Sequence, residues 1–227
     1  MKKLLLLTLL LLAGICPAQF NYTISIDSSV TYQNLTEPTN LNSGDKWSRS
    51  YKIPVGFAFP FNGKTIDSVS FESNGYLIID QKLNTALMAF NNFHCKLDSN
   101  QSYSALNYKL SGTEGSRVFK IECKNIGQGD EGKELLCYQV WLKESGNIEV
   151  FIGQNTYTPL QGAVDTMQVI HMGIINRNMD TAERGIFISG TPNNPTSVPL
   201  NDEHPELAFL RTVPKKGYRY IFTPIAD

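Results

Sequence analysis

Apolar residues along this chain recur at every second position far more often than at helical spacing. Short runs rich in Val, Ile, Phe, Tyr and Thr alternate with clusters of Gly, Asn, Asp, Ser and Pro, the signature of half-buried strands joined by turns. The pattern predicts strands at Tyr22–Ile26, Tyr51–Phe61, Ser68–Phe71, Tyr76–Ile79, Ala105–Leu110, Arg117–Lys124, Leu136–Lys143, Asn147–Ile152, Val169–Ile175, Gly185–Ser189 and Tyr218–Phe222. Asn84–Phe90 has room for a turn or two of helix, and Thr191–Pro199, with three prolines and two asparagines, reads as a surface loop. There is no internal repeat. Strands of this number and spacing predict an all-β fold, a two-sheet antiparallel β-sandwich, jelly-roll-like, with little helix.

One hairpin can be specified to the residue. Val140, Leu142, Ile148, Val150 and Ile152 share one face if Leu142 pairs with Ile148 and Val140 with Val150. That register leaves Glu144-Ser145-Gly146 as a three-residue loop, whose last position must be left-handed and is glycine. A second hairpin joins Arg117–Lys124 to Leu136–Lys143. With Phe119, Ile121 and Cys123 inward on one strand and Tyr138, Val140 and Leu142 inward on the other, Cys137 points outward. Opposite parity predicts no Cys123–Cys137 disulfide, and Cys123 buried and reduced. With Cys95 the count downstream of the leader is odd, which allows at most one internal bridge.

The N-terminus departs from the strand pattern. Lys2 and Lys3 precede an apolar run from Leu4 to Ile15, broken only by Thr8, and Cys16-Pro17-Ala18 follows. This reads as a signal peptide over 1–18, too short to span a bilayer. Ala18 suits ordinary cleavage, giving a mature chain from Gln19 and a single domain over 19–227. Lipidation at Cys16 is the minority reading, because the preceding Ile15 is bulky. The whole chain carries 20 basic and 21 acidic residues. Without Lys2 and Lys3 the balance is 18 − 21 = −3. No basic cluster interleaved with aromatics points to nucleic acid, and no second apolar stretch is long enough for a transmembrane helix.

Several segments resemble a known family. Val55-Gly56-Phe57-Ala58-Phe59-Pro60-Phe61-Asn62-Gly63-Lys64, followed by Val69-Ser70-Phe71-Glu72-Ser73-Asn74-Gly75-Tyr76-Leu77, resembles the GFxFxFxG…SNGYL stretch of extracellular β-sandwich modules in secreted Bacteroidetes proteins. Nidogen-type extracellular domains show a looser likeness. Arg117–Asn125, Tyr138–Glu144, Asn147–Gly153, Met172–Asn176 and Tyr218–Pro224 resemble later strands of the same pattern, so the likeness runs from about Tyr51 to Pro224. It implies a sandwich fold and no particular activity, since the motifs consist of core alternation and turn residues. Asp67-Ser68-Val69, Asp165-Thr166-Met167 and Asp180-Thr181-Ala182 resemble the O-glycosylation triplet of such exported proteins.

Candidate chemistry is sparse. No pair of acids is spaced like a glycosidase couple, and Glu144 and Glu149 flank a tight hairpin and diverge. His94 lies beside Cys95, but adjacent side chains point apart in extended chain. His171 reads as a structural histidine among apolar residues, and His204 precedes Pro205 in a polar connection. Asp130 and Glu131 in the Gly127–Gly132 turn offer oxygens for Ca²⁺ without the alternation of a dedicated loop, so a solvated hairpin is the simpler reading. No cofactor and no metal site is expected, and the chain reads as a non-enzyme.

The anomaly is Trp141. The register that buries Val140 and Leu142 turns Gln139, Trp141, Glu149 and Phe151 to the opposite face, with Trp141 across from Glu149 and Phe151 across from Gln139. A large aromatic facing away from the core points to a contact. Either Trp141, with Gln139, Glu149 and Phe151 beside it, stacks on a sugar or a partner side chain, or a loop such as Tyr157–Ala163 covers it. The expected function is an exported, non-catalytic recognition module for a glycan or an envelope protein. The alternative is a structural or adhesion component of an envelope assembly, and a small hydrolase ranks last.

Overall fold

A computed structural model describes residues 20–90, 95–96, 103–127, 135–156, 170–177, 185–200 and 209–225. The leader with Cys16, His94, His204, the Asp130-Glu131 pair and the Tyr157–Ala163 loop lie outside these residues. The strands are β1 (Tyr22–Asp27), β2 (Thr39–Asn40), β3 (Ser50–Phe61), β4 (Lys64–Glu72), β5 (Tyr76–Asp80), β6 (Thr85–Met88) and β7 (Leu106–Ser111). Then come β8 (Val118–Ile126), β9 (Leu136–Lys143), β10 (Ile148–Asn155), β11 (Gly173–Asn176), β12 (Gly185–Thr191), β13 (Asn194–Leu200) and β14 (Arg219–Pro224). They form two seven-stranded antiparallel sheets, so the fold is an all-β sandwich, and the described residues contain no helix. The first sheet runs β1-β14-β10-β9-β8-β7-β2 and the second β13-β12-β11-β6-β5-β4-β3.

Alternation along each strand explains the sandwich. On β3, Ile53, Val55, Phe57, Phe59 and Phe61 are buried, while Lys52, Pro54, Gly56, Ala58 and Pro60 face solvent. On the first sheet the inward residues are Phe119 and Ile121 of β8, Tyr138, Val140 and Leu142 of β9, Ile148 and Val150 of β10, and Tyr220 and Phe222 of β14. Each is 2% exposed or less. Burying one such side chain is worth roughly 1.5–3 kcal/mol, so these inner faces dominate the stability.

The hairpin specified from sequence has the expected register, with Leu142 opposite Ile148 and Val140 opposite Val150. Gly146 sits at φ 92°, which only glycine adopts freely, and its N–H closes the turn on Lys143 O at 2.8 Å.

Three expectations need correction. Asn84–Phe90 is not helical: Thr85–Met88 is a strand in the middle of the second sheet, paired on both sides. Thr191–Pro199 is not a loop, because Asn194–Leu200 forms strand β13. Its prolines are tolerated because β13 is an edge, where a missing N–H costs no ladder bond on the open side. Cys137 has the outward parity expected, yet it is only 7% exposed. Cys95, Cys123 and Cys137 are all free thiols.

Candidate functional site

The outward face of the first sheet explains why Cys137 is covered. Parity places Lys120 and Glu122 of β8, Gln139 and Trp141 of β9, Glu149 and Phe151 of β10, and Arg219 of β14 on this face. Strand pairing sets them in two cross-strand rows. One runs Asn107, Glu122, Gln139, Phe151, Arg219, Asp27, and the other Lys109, Lys120, Trp141, Glu149, Ile221, Ser25.

The connection between β1 and β2, residues 28–38, crosses the first row as a strap. Val30 N–H donates to Gly217 O at 3.1 Å, and Gln139 Nε2 donates to Gln33 O at 2.8 Å. Leu35 N–H donates to Glu122 Oε1 at 3.0 Å, and Lys109 Nζ to Thr36 O at 2.5 Å. Where the strap passes β10 the strand carries Gly153. A Cβ there would lie 2.7 Å from the Tyr32 ring, so the absent side chain is the seat of that ring.

Glu122 is the centre of this closure. Its carboxylate accepts from Gln139 Nε2 at 2.8 Å, Asn107 Nδ2 at 3.1 Å, Leu35 N and the Tyr32 hydroxyl at 3.4 Å. Among the described residues four donors and no cation hold it, which is how a buried carboxylate is made tolerable. Burial and the Glu122 charge push the Tyr32 hydroxyl pKa up.

All four residues singled out from sequence meet here, in unequal positions. Gln139 is 1% exposed, Glu149 2% and Phe151 5%, whereas Trp141 stays half-buried. The Trp141 ring stacks on Phe151 with centroids 4.2 Å apart and planes at 30°. From the β8 side Lys120 Nζ lies 3.9 Å over the same ring. The indole N–H donates to Gln139 Oε1 at 2.9 Å. Arg219 sits 5.3 Å over Phe151 and donates to Asp27 at 2.7 Å. Glu149 pairs with Lys143 at 2.5 Å and with Arg219 at 3.5 Å. Trp141 is thus a wedged member of a cation–aromatic stack, with ring faces taken by Phe151 and Lys120.

Lys109, Lys120 and Lys143 are partly exposed on this face, as is Asp27 at the end of the first row, where Arg219 pairs with it. No carboxylate among the described residues pairs with Lys120. Burial lowers its pKa, and the neighbouring Lys109 and Lys143 charges lower it further. Asp27 is held below the usual carboxylate range by the Ser29 backbone and hydroxyl donors and by Arg219. Sequence reasoning passed over Lys120 and Lys143, although the parity that exposed Trp141 places both on its face.

Elsewhere the chemistry is thin. His171 packs edge-on against Phe187, with centroids 6.3 Å apart. Among the described residues no group of three or more His, Cys, Asp or Glu side chains could hold a metal ion. Nor is any helix among them long and apolar enough to cross a membrane.

The family model described as NIDO related matches residues 21–224, nearly the whole described span, and the chain belongs to that family. Membership points to an extracellular module of a family not known for catalysis. No curated protein and no solved structure matches the chain.

Proposed function

We propose that this NIDO-related chain is an exported, non-catalytic recognition module that binds an acidic glycan on the outer face of its first sheet, around Trp141. The observation carrying this reading is the segregation of charge there. Glu122 and Glu149 are buried and saturated by internal donors, while Lys109, Lys120 and Lys143 surround a half-exposed indole. A polyanion meets cations and an apolar edge around Trp141, while the partly exposed carboxylate of the first row, Asp27, lies at its far end and is paired with Arg219. Gln139 fixes the indole, Phe151 backs it, and Glu149 anchors Lys143 beside it. The same saturation argues against a hydrolase, because acids with no free proton-transfer partner make poor general acids or bases.

Assembly by strand addition has less support. Both edges of the second sheet carry prolines, Pro54 and Pro60 on β3 and Pro195 and Pro199 on β13, and one edge of the first is the two-residue β2. Such edges discourage an added strand.

Chondroitin sulfate and neutral dextran, titrated against the mature chain at two salt concentrations, test the proposal. Binding of chondroitin sulfate alone, weakened by salt, is expected. Lys120→Gln and Lys143→Gln should each weaken it about two- to fivefold, the worth of one exposed charge contact. Equal affinity for dextran, or indifference to both substitutions, would overturn it.

A further inference from the structure

The strand pairing contains an irregularity centred on Cys137. Between β8 and β9 the register passes from Cys123 opposite Tyr138 to Ile126 opposite Leu136, so Lys124 and Asn125 together oppose Cys137. Between β9 and β10 it passes from Ile152 opposite Tyr138 to Asn155 opposite Leu136, so Gly153 and Gln154 also oppose Cys137. One residue therefore carries a two-against-one bulge on each side. Asn125 takes φ 57°, the left-handed backbone such a kink calls for. Bulges bend a strand and re-aim its side chains, and Cys137, between the two, is only 7% exposed.

The result is a half-open pocket of about 200 Å³ on the outer face of the first sheet, on the other side of the strap from Trp141. Cys137 lines it between the bulged Lys124-Asn125 and Gln154, with Tyr32 and Asn34 from the strap and Lys216 from the turn before β14. Among the described residues no carboxylate lines it. The Tyr32 hydroxyl is committed to Glu122, and Asn125 Oδ1 accepts the Cys137 thiol at 3.5 Å. Burial pushes the thiol pKa up despite the nearby Lys124 and Lys216 charges, so the floor is neutral at physiological pH. No carboxylate among the described residues pairs with Lys124 or Lys216.

We infer that this double-bulge pocket is a subsite for one acidic sugar residue, its carboxylate drawn by Lys124 and Lys216 and its hydroxyls matched by the Asn34, Asn125 and Gln154 amides. The inference rests on reading the outer face of the first sheet as the ligand-binding face. Two cations with no paired carboxylate among the described residues select an anion, and three amides, each both donor and acceptor, select hydroxyls over a bare ion.

Amide NMR titrations with a hyaluronan tetrasaccharide, chitotetraose and sodium sulfate test it on the mature chain. Hyaluronan should give saturable shifts at Asn125, Cys137 and Gln154. Lys124→Gln/Lys216→Gln should weaken that binding at least tenfold at an unchanged melting temperature. Chitotetraose should bind at least tenfold more weakly. Shifts confined to Lys120, Trp141 and Lys143 would overturn the pocket while leaving the proposed function standing. Sulfate binding as tightly as hyaluronan would overturn the sugar assignment. Absence of hyaluronan shifts in the pocket would overturn the subsite, and the chondroitin titration decides the proposed function separately.

Discussion

The two faces of the β8–β9–β10 ribbon are almost equally buried at their centres and are held by different forces. On the inner face Phe119, Ile121, Val140, Leu142, Ile148 and Val150 meet the second sheet, and no charged side chain among the described residues joins that core cluster. On the outer face Glu122, Gln139 and Glu149 are buried to the same degree, in a network closed by the strap and by Lys143 and Arg219. The difference lies in tolerance. Apolar contacts degrade gradually as atoms are removed, whereas a polar network that loses one member leaves its remaining buried groups unsatisfied.

Substitutions can set the faces against each other. The largest expected effect is on the inner face: Phe119→Ala should cost about 3–5 kcal/mol, read as a shift in the urea midpoint, because the sandwich cannot close over the space left. Glu122→Ala, a smaller deletion on the outer face, should cost about 3 kcal/mol by stranding donors from Gln139, Asn107 and Leu35. It should also speed hydrogen exchange at the Leu35 amide, while Phe119→Ala should not do so selectively. A neutral Glu122→Ala with Leu35 still protected would show that the outer network is incidental to the strap.

The inner face was legible from sequence and the outer face only half so, for physical reasons. Period-two alternation gave the inward residues, and Gly146 fixed the register of the hairpin. The same parity said which residues face outward. It could not say that the outward side is covered, because the strap has no periodic pattern and reaches Glu122 across 87 residues of chain. The loop favoured as a cover, Tyr157–Ala163, lies outside the described residues. The bulges at Cys137 were invisible for a related reason: a bulge belongs to a pair of strands, and one strand's sequence does not show its partner's slip. Misreading β13 came from treating proline as a loop signal without knowing that the strand is an edge. The turn or two of helix allowed for Asn84–Phe90 gave way to pairing with two flanking strands, which no local pattern in so short a segment displays.

Smaller substitutions sharpen the contrast. Gly153→Ala adds one carbon 2.7 Å from the Tyr32 ring and 2.9 Å from Cys137 O. It should cost about 1–3 kcal/mol, an overpacking effect, and displace the strap at Tyr32, visible as line broadening of that ring. If Tyr32 keeps its signals, the strap does not depend on this seat. Trp141→Ala should cost only about 1 kcal/mol, since the half-exposed ring loses one aromatic stack and one exposed cation–π contact. A loss of 3 kcal/mol or more would mean that Trp141 is a structural element of the outer network and no longer a candidate contact.

The smallest effect comes from the end of the ribbon, where both faces run out into solvent. Glu144 accepts from the Arg117 guanidinium and from the Arg117 backbone N–H at 2.9 Å, and these donors push its pKa down to about 2. A carboxyl depressed in the folded state contributes stability that is fully present above its ordinary value and lost as the pH falls through the folded value. Wild type should therefore be slightly more stable than Glu144→Gln at pH 6, and the two should converge as the pH falls from about 4.5 toward 2. The gap should shrink in high salt, because the pair is exposed to screening, unlike the buried Glu122 network a few residues away. A gap that persists at pH 2, or that ignores salt, would contradict the assignment of this pair to the solvent-exposed end and would extend the outer network to the tip of the hairpin.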